Sequence, residues 1–331
     1  MVVSKESVAY AAGAAGAAVA IAAVINRLSK EKHEKVEFDG EECHFTLPAQ
    51  PHPLFLDFVV NQQGLRLFTR TWEAAAGCEA KGTVLVVHGF AEHCGRYGVL
   101  AAALNARGYR VVAYDHQGHG RSEGDRAHVE RFAHYVDDLL DVARVACGED
   151  GPLFVVAHSM GAQVAIHAAA SHKIPNLRGV ALSAPAVEPD PEMATPILVF
   201  LARRLSSLLP KVPLDPLPSK FLSRDKTVVE QYLNDPLVYK GGVRARFACE
   251  MLDAMAKCFS LARTQTEKVP LLLLHGGADK VIDPHGSARL FTAWAGDKRF
   301  ELLPGEFHEI FNEPSRETAF AHVADFLDAY A

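Results

Sequence analysis

The stretch that decides the fold is LFVVAHSMGAQVAIHAA, Leu153–Ala169. It opens on apolar strand formers and closes on an Ala-rich run that suits a helix. Between the two stands a turn made of Ser159, Met160 and Gly161. A serine on a tight strand-to-helix turn lifts its hydroxyl above a sheet, and Gly161 removes side-chain bulk two positions on. Serine alone is a weak nucleophile. The turn carries chemistry only if the chain also supplies a base, an orienting acid and an oxyanion site.

Working outward, the same alternation recurs. Leu54–Val60 and Leu65–Trp72 read as strands around a Gln-Gln-Gly turn, and Thr83–Val87 as a short apolar strand ending at His88-Gly89-Phe90. Tyr97–Ala106 has helical spacing with a stop at Gly108, Tyr109–Tyr114 is another apolar strand, Val129–Val145 reads as a helix and Val180–Ser183 as a strand. Strands without polar alternation belong in a sheet buried on both faces. The predicted class is therefore α/β, with a mostly parallel central sheet and helices on both faces.

From Ala186 the rhythm stops. A Pro-rich stretch follows, with one apolar helix in which Ile197, Phe200, Leu201, Leu205 and Leu208 share a face while Arg203, Ser206 and Ser207 lie nearer the other side. Further helical segments are predicted near Lys226–Leu233 and Arg244–Phe259 before the α/β rhythm resumes at KVPLLLLHGGADKVIDP. The expected organisation is an Ala-rich segment over 1–35, a first core part over 36–185, an inserted helical cap over 186–265 and a second core part over 266–331. The apolar face of the cap helix is a candidate acyl pocket; the plainer alternative is that it packs on the core. Arg203 and Arg204 are placed to meet anionic headgroups or are ordinary surface cations.

The chain has 331 residues, 49% of them hydrophobic, which is ample for one large α/β core with an insertion. Its formal net charge of −6 and the lack of basic stretches interleaved with aromatics exclude nucleic acid as an expected partner. Six widely spaced cysteines do not form a disulfide framework, so a reducing compartment is expected. Val8–Ile25 is 18 residues without a charge, followed by Arg27, Lys30, Lys32 and Lys35. That is the short end of a membrane span, with a flank that would put the catalytic part on the cytoplasmic side. A targeting peptide and a plain Ala-rich tail are the alternatives. The expectation carried forward is a membrane-associated chain with a cytoplasmic catalytic domain; a soluble cytoplasmic chain is the alternative.

VPLLLLHGGAD puts Asp279 just past a strand, and FELLPGEFH puts His308 past the next one. Ser159, Asp279, His308 is the chain order of the α/β-hydrolase fold. His308 is the candidate base and Asp279 the candidate acid that holds its tautomer. Asp283 is a local rival to Asp279, and His285 has no strand-end position. The backbone N–H groups of Met160 and Phe90 are the candidate oxyanion donors. His158 and Gly161 complete the elbow, where Ala157 stands in place of the usual glycine. Asp115, His116 and His119 sit in a loop and are not read as metal ligands. HEIFN at His308 lacks the second histidine of a zinc-protease motif. Neither a metal nor any cofactor is called for.

HGFAEHCGRY, VVAYDHQGHGRSEG, AHSMGAQVAI, NDPLVYKGG and LLLLHGGADKVIDPHGS, in that order, resemble the monoglyceride lipase family within the wider serine aminopeptidase S33-like group. That group includes lysophospholipases and caffeoylshikimate esterases. The resemblance runs from Phe55 to Tyr330. It implies an α/β-hydrolase core with a helical cap and cleavage of monoacylglycerol to glycerol and a fatty acid. Ser159, Asp279 and His308 match the family triad, and Phe90 and Met160 its oxyanion positions. The family elbow more often reads G-H-S-M-G, and Cys94 stands where many members have serine. A lysophospholipase, a phenolic-ester esterase such as one acting on caffeoylshikimate, and a non-catalytic acyl-binding or scaffold protein remain open. The implied partners are a single-acyl lipid ester and a membrane surface, with a second copy of the chain as a further candidate.

Overall fold

A computed structural model of the chain describes residues 58–75, 81–147, 151–189, 196–266 and 268–331. Its strands are β1 (Phe58–Val60), β2 (Arg66–Trp72), β3 (Gly82–Val87), β4 (Tyr109–Tyr114), β5 (Leu153–His158), β6 (Leu177–Ser183), β7 (Leu271–Gly276) and β8 (Lys298–Leu303). They form a sheet ordered β1-β2-β4-β3-β5-β6-β7-β8. β1 and β2 pair antiparallel, as do β2 and β4; every later pair is parallel.

The apolar runs are explained by two-sided burial. Along β5, Leu153, Val155 and Ala157 face one core layer while Phe154 and Val156 face the other. Along β7, Leu271 and Leu273 face the first layer and Leu272 and Leu274 the second. Successive side chains of a strand point to opposite faces, so a strand covered on both sides favours apolar residues along its length. The helices α1 (Gly98–Asn105) and α8 (Arg316–Tyr330) cover one face, with Leu100, Leu104, Phe320 and Val323 buried against it. The other face is covered by α2 (Phe132–Cys147), α3 (Met160–Ala170) and α7 (Pro284–Ala293).

A helical insertion separates β6 from β7. It holds α4 (Pro196–Leu208), α5 (Lys226–Asn234) and α6 (Ala245–Gln265). Asp225 starts α5 by accepting a hydrogen bond from the Thr227 amide at 2.9 Å. The long α6 is fastened to α3. Gln163 Nε2 donates to the Met251 carbonyl at 2.9 Å, and the His167 ring lies 3.1 Å from the Ala254 carbonyl. Phe247, Met251 and Met255 are buried in the first core layer, so α6 is part of the core covering as well as of the insertion.

The expectation of a membrane-associated chain is corrected here. Among the described residues no helix is long and apolar enough to cross a membrane. The segment Val8–Ile25, on which that expectation rested, lies outside the described residues, as does the first part of the strand expected over Leu54–Val60.

Candidate active site

The site is assembled at the carboxyl ends of the parallel strands, where loops from several strands converge. β3 ends in His88-Gly89-Phe90, β5 in Ser159, β7 leads to Asp279 and β8 to His308. Ser159 directly precedes α3 and has φ 52° and ψ −116°. Its amide donates to the Ser183 carbonyl at 2.9 Å, which ties the elbow to β6. Gly161 is dictated by the approach of the β3 end. A Cβ there would lie 2.4 Å from the carbonyl oxygens of both Val87 and His88. Ala157 is tolerated because it lies in regular β5, paired with Val87 and Leu182.

Three side chains form one hydrogen-bonded line. The Ser159 hydroxyl donates to His308 Nε2 at 3.0 Å, and His308 Nδ1–H donates to Asp279 Oδ2 at 2.7 Å. Asp279 is itself saturated. Oδ1 accepts from the amides of Val281 and Ile282 at 2.7 and 3.1 Å, and Oδ2 also accepts from His275 Nε2 at 3.1 Å. Burial alone would raise this carboxyl. The charge of His308 and the hydrogen bonds from His275 and His308 outweigh burial and hold it well below the usual carboxylate range. For His308, burial again disfavours charge, but the Asp279 carboxylate prevails, helped by Glu309 and Glu92, and its pKa is raised above 6.5. The His158 ring lies 4.7 Å from that of His308, and burial with the nearby His308 charge lowers its pKa to about 4.

Asp283, the rival acid, is occupied elsewhere. Its carboxylate accepts from the His285 amide at 2.9 Å at the start of α7 and pairs with the exposed His285 ring. Asp115 does structural work: it accepts the amides of Cys94 and Arg121, each at 2.8 Å. His116 accompanies it by bonding to His88, its own amide donating to His88 Nε2 at 2.9 Å.

The amides of Phe90 and Met160, one in the loop after β3 and one next to Ser159 in the chain, have no protein acceptor among the described residues. The neighbouring Gly89 amide is already taken, donating to Glu92 Oε1 at 2.7 Å. The next amide in the chain, that of Phe90, has no acceptor among the described residues. The Phe90 ring stacks on Phe247 at 4.4 Å. Of the five cap positions singled out from helical spacing, Phe200 is 56% and Leu208 81% exposed, while Leu205 is half-buried. The side chains of Ile197 and Leu201 lie outside the described residues.

Sequence reasoning missed His275 and the Glu92–Arg96–Glu309 group. His275 sits at the end of β7, four residues before Asp279, fully buried, with Nδ1 2.6 Å from the Ser287 hydroxyl. A histidine inside an otherwise leucine strand was the available signal. Its Nε2 carries the proton that faces the carboxylate, and Nδ1 meets the Ser287 hydroxyl. For Glu92 and Arg96, the signal was a carboxylate and a guanidinium four residues apart in EHCGRY.

A family model described as Serine aminopeptidase, S33 matches residues 78–315. Monoglyceride lipase of Homo sapiens is 37% identical over 261 residues, covering 78% of this chain and 84% of that protein. Phospholipase YtpA of Bacillus subtilis is 32% identical, covering 78% of this chain and 99% of that one. The crystal structure of Paleococcus ferrophilus monoacylglycerol lipase superposes with a TM-score of 0.72 at 31% identity, covering 80% of this chain and 99% of that one. The mostly parallel sheet, the helical insertion and these matches agree: the chain belongs to the monoglyceride lipase family of the S33-like α/β-hydrolases, and is a serine ester hydrolase.

Proposed function

We propose that the chain hydrolyses the carboxylic ester of lipids with a single acyl chain through an acyl-enzyme on Ser159. The observation that carries this is the Ser159–His308–Asp279 line at 3.0 and 2.7 Å, set beside two amides without a protein acceptor among the described residues. The substrate class rests on kinship with both a monoglyceride lipase and a phospholipase, whose identities, 37% and 32%, differ little. The class therefore takes in lysophospholipids and other carboxylic esters, with monoacylglycerol as one member.

The substrate's carbonyl oxygen lies between the N–H groups of Phe90 and Met160. Ser159 Oγ forms a bond to the acyl carbon while its proton passes to His308 Nε2, and the carbonyl electron pair moves onto oxygen. Asp279 supports the imidazolium without taking its proton. The tetrahedral intermediate collapses, the ester C–O bond breaks, and His308 protonates the departing alcohol. Water then adds to the acyl carbon, giving a proton to His308. The second collapse releases the fatty acid and returns that proton to Ser159. The two oxyanion donors act on charge that exists only during these steps, and each contributes about 10²–10³ in rate. The insertion over 186–265 is assigned to covering the acyl side.

The test is ester cleavage of monoacylglycerol, diacylglycerol, lysophosphatidylcholine and caffeoylshikimate by wild type and Ser159→Ala. Cleavage of the single-acyl lipids, lost in the variant, is the expected result. Turnover confined to caffeoylshikimate would overturn the substrate class, and turnover retained by Ser159→Ala would overturn the mechanism.

A further inference from the structure

Arg96 stands where three parts of the molecule meet. Its NH1 donates to Glu92 Oε2 and to Glu309 Oε1, and its NH2 to Glu309 Oε2, all at 2.7 Å. The three side chains are 10%, 3% and 5% exposed. Each carboxylate belongs to a different loop of the site. Glu92 Oε1 holds the Gly89 amide, the residue before Phe90, and also accepts from the Tyr97 hydroxyl at 2.7 Å. Glu309 follows His308 in the chain, and its own amide donates to the Leu222 carbonyl of the insertion at 2.8 Å. The face of Tyr232 on α5 lies 5.0 Å from the guanidinium carbon, which brings the insertion onto the same group.

We propose that Arg96 is a positioning residue for ester hydrolysis: one guanidinium bridging Glu92 and Glu309 sets the distance between the loop that offers the Phe90 amide and the loop that carries His308. The proposal rests on the acyl-enzyme reading above. A surface pair of this kind would do little. A buried, hydrogen-bonded one is better suited to registration than to stability, because desolvation offsets its attraction while removal of one member leaves a buried charge without its counter-charge. Arginine is suited to the task because its planar fork engages a carboxylate with two bonds and still reaches the other; a lysine ammonium has no such fork. The oxyanion loop and the base loop come from strands far apart in the chain, with Arg96 and Glu309 separated by 213 positions. Oxyanion stabilisation and proton transfer must nevertheless act on one carbonyl. A displacement near 1 Å between such groups costs about 10² in rate.

The test uses the full chain and compares Arg96→Met, Arg96→Lys, Glu309→Gln and the double variant Arg96→Met/Glu309→Gln. Turnover of a soluble ester is measured at pH 8, with kcat expressed per Ser159 labelled to completion by a fluorophosphonate. Arg96→Met is expected to lower kcat by about tenfold to a hundredfold with KM changed less than about threefold. Arg96→Lys recovers only part of that loss. Glu309→Gln costs about tenfold alone but less than about twofold in the Arg96→Met background, because the bridge is already gone. Retention of kcat by Arg96→Met, or losses that multiply, overturns the proposal. A purely structural role would reduce the labelled fraction or the melting temperature and leave kcat per labelled site unchanged. Should Arg96→Met not fold, Glu92→Gln and Glu309→Gln are combined instead. The bridge then requires a joint loss equal to the larger single loss, and independent losses refute it. Wild-type chain that neither labels nor turns over refutes the acyl-enzyme reading itself, an outcome distinct from an active wild type with an indifferent Arg96.

Discussion

Replacing Asp279 by asparagine keeps the shape of the side chain and inverts half of its hydrogen bonding. The carboxylate accepts four hydrogen bonds, two from fixed backbone amides at Val281 and Ile282 and two from the rings of His308 and His275. The backbone cannot become an acceptor, so the asparagine oxygen stays with it and the NH₂ group faces both rings. Each ring must then present a lone pair. His308 moves its proton to Nε2 and offers Ser159 an N–H where it previously offered an acceptor. The expected loss is about 10⁴ in kcat at neutral pH, about 5.4 kcal/mol of barrier. The fold loses less, about 1–3 kcal/mol, because His275 can turn its proton toward the Ser287 oxygen and leave no buried donor unpaired. The assay pairs kcat per fluorophosphonate-labelled site with a thermal melt. If Asp279→Asn keeps more than about 1% of wild-type kcat, Asp279 does not set the tautomer of His308 and the reasoning fails.

Gly161→Ala forces a Cβ to within 2.4 Å of two backbone oxygens, so it should cost about 1–3 kcal/mol or more, read as a fall in melting temperature together with lost turnover. Because the pKa of His308 is raised above 6.5 and its neutral form is the base, the acid limb of kcat/KM should have its midpoint above pH 6.5; a midpoint below that value would contradict the field of Asp279. The stability term runs the other way: a raised pKa favours the fold fully below the unfolded value of 6.5 and is lost as pH climbs through the folded value, so His308 supports the fold most where it is least active. Asp283→Ala should remove about 0.5–2 kcal/mol from the start of α7 and leave kcat within about twofold, whereas a large loss of kcat would restore Asp283 as the acid.

Much of this was legible because burial on both faces leaves a plain mark. β3, β5 and β7 are apolar along most of their length, with Thr83, His158 and His275 as the polar exceptions, and such runs mark strands covered on both faces. The elbow was legible because its turn needs a small residue at Gly161, and the order Ser159, Asp279, His308 followed from strand ends. The supports were not legible. Arg96 meets Glu309 across most of the chain, and His275 is one histidine among 16. Pairings of that kind are decided by tertiary placement, which local pattern does not encode. Helical spacing likewise marked an apolar face on α4 but not its surroundings, and Phe200 and Leu208 of that face are exposed.

The backbone at Ser159 has a consequence for how this chain responds to selection. A φ of 52° with a ψ of −116° is a conformation that an L-residue occupies at a cost of about 1–3 kcal/mol and glycine enters freely. Ser159→Gly should therefore melt at a higher temperature than wild type while doing no chemistry. A library screened for heat resistance alone would enrich chains that have discarded their nucleophile, and only a screen that demands turnover would keep it. Stability and activity oppose each other at this one residue.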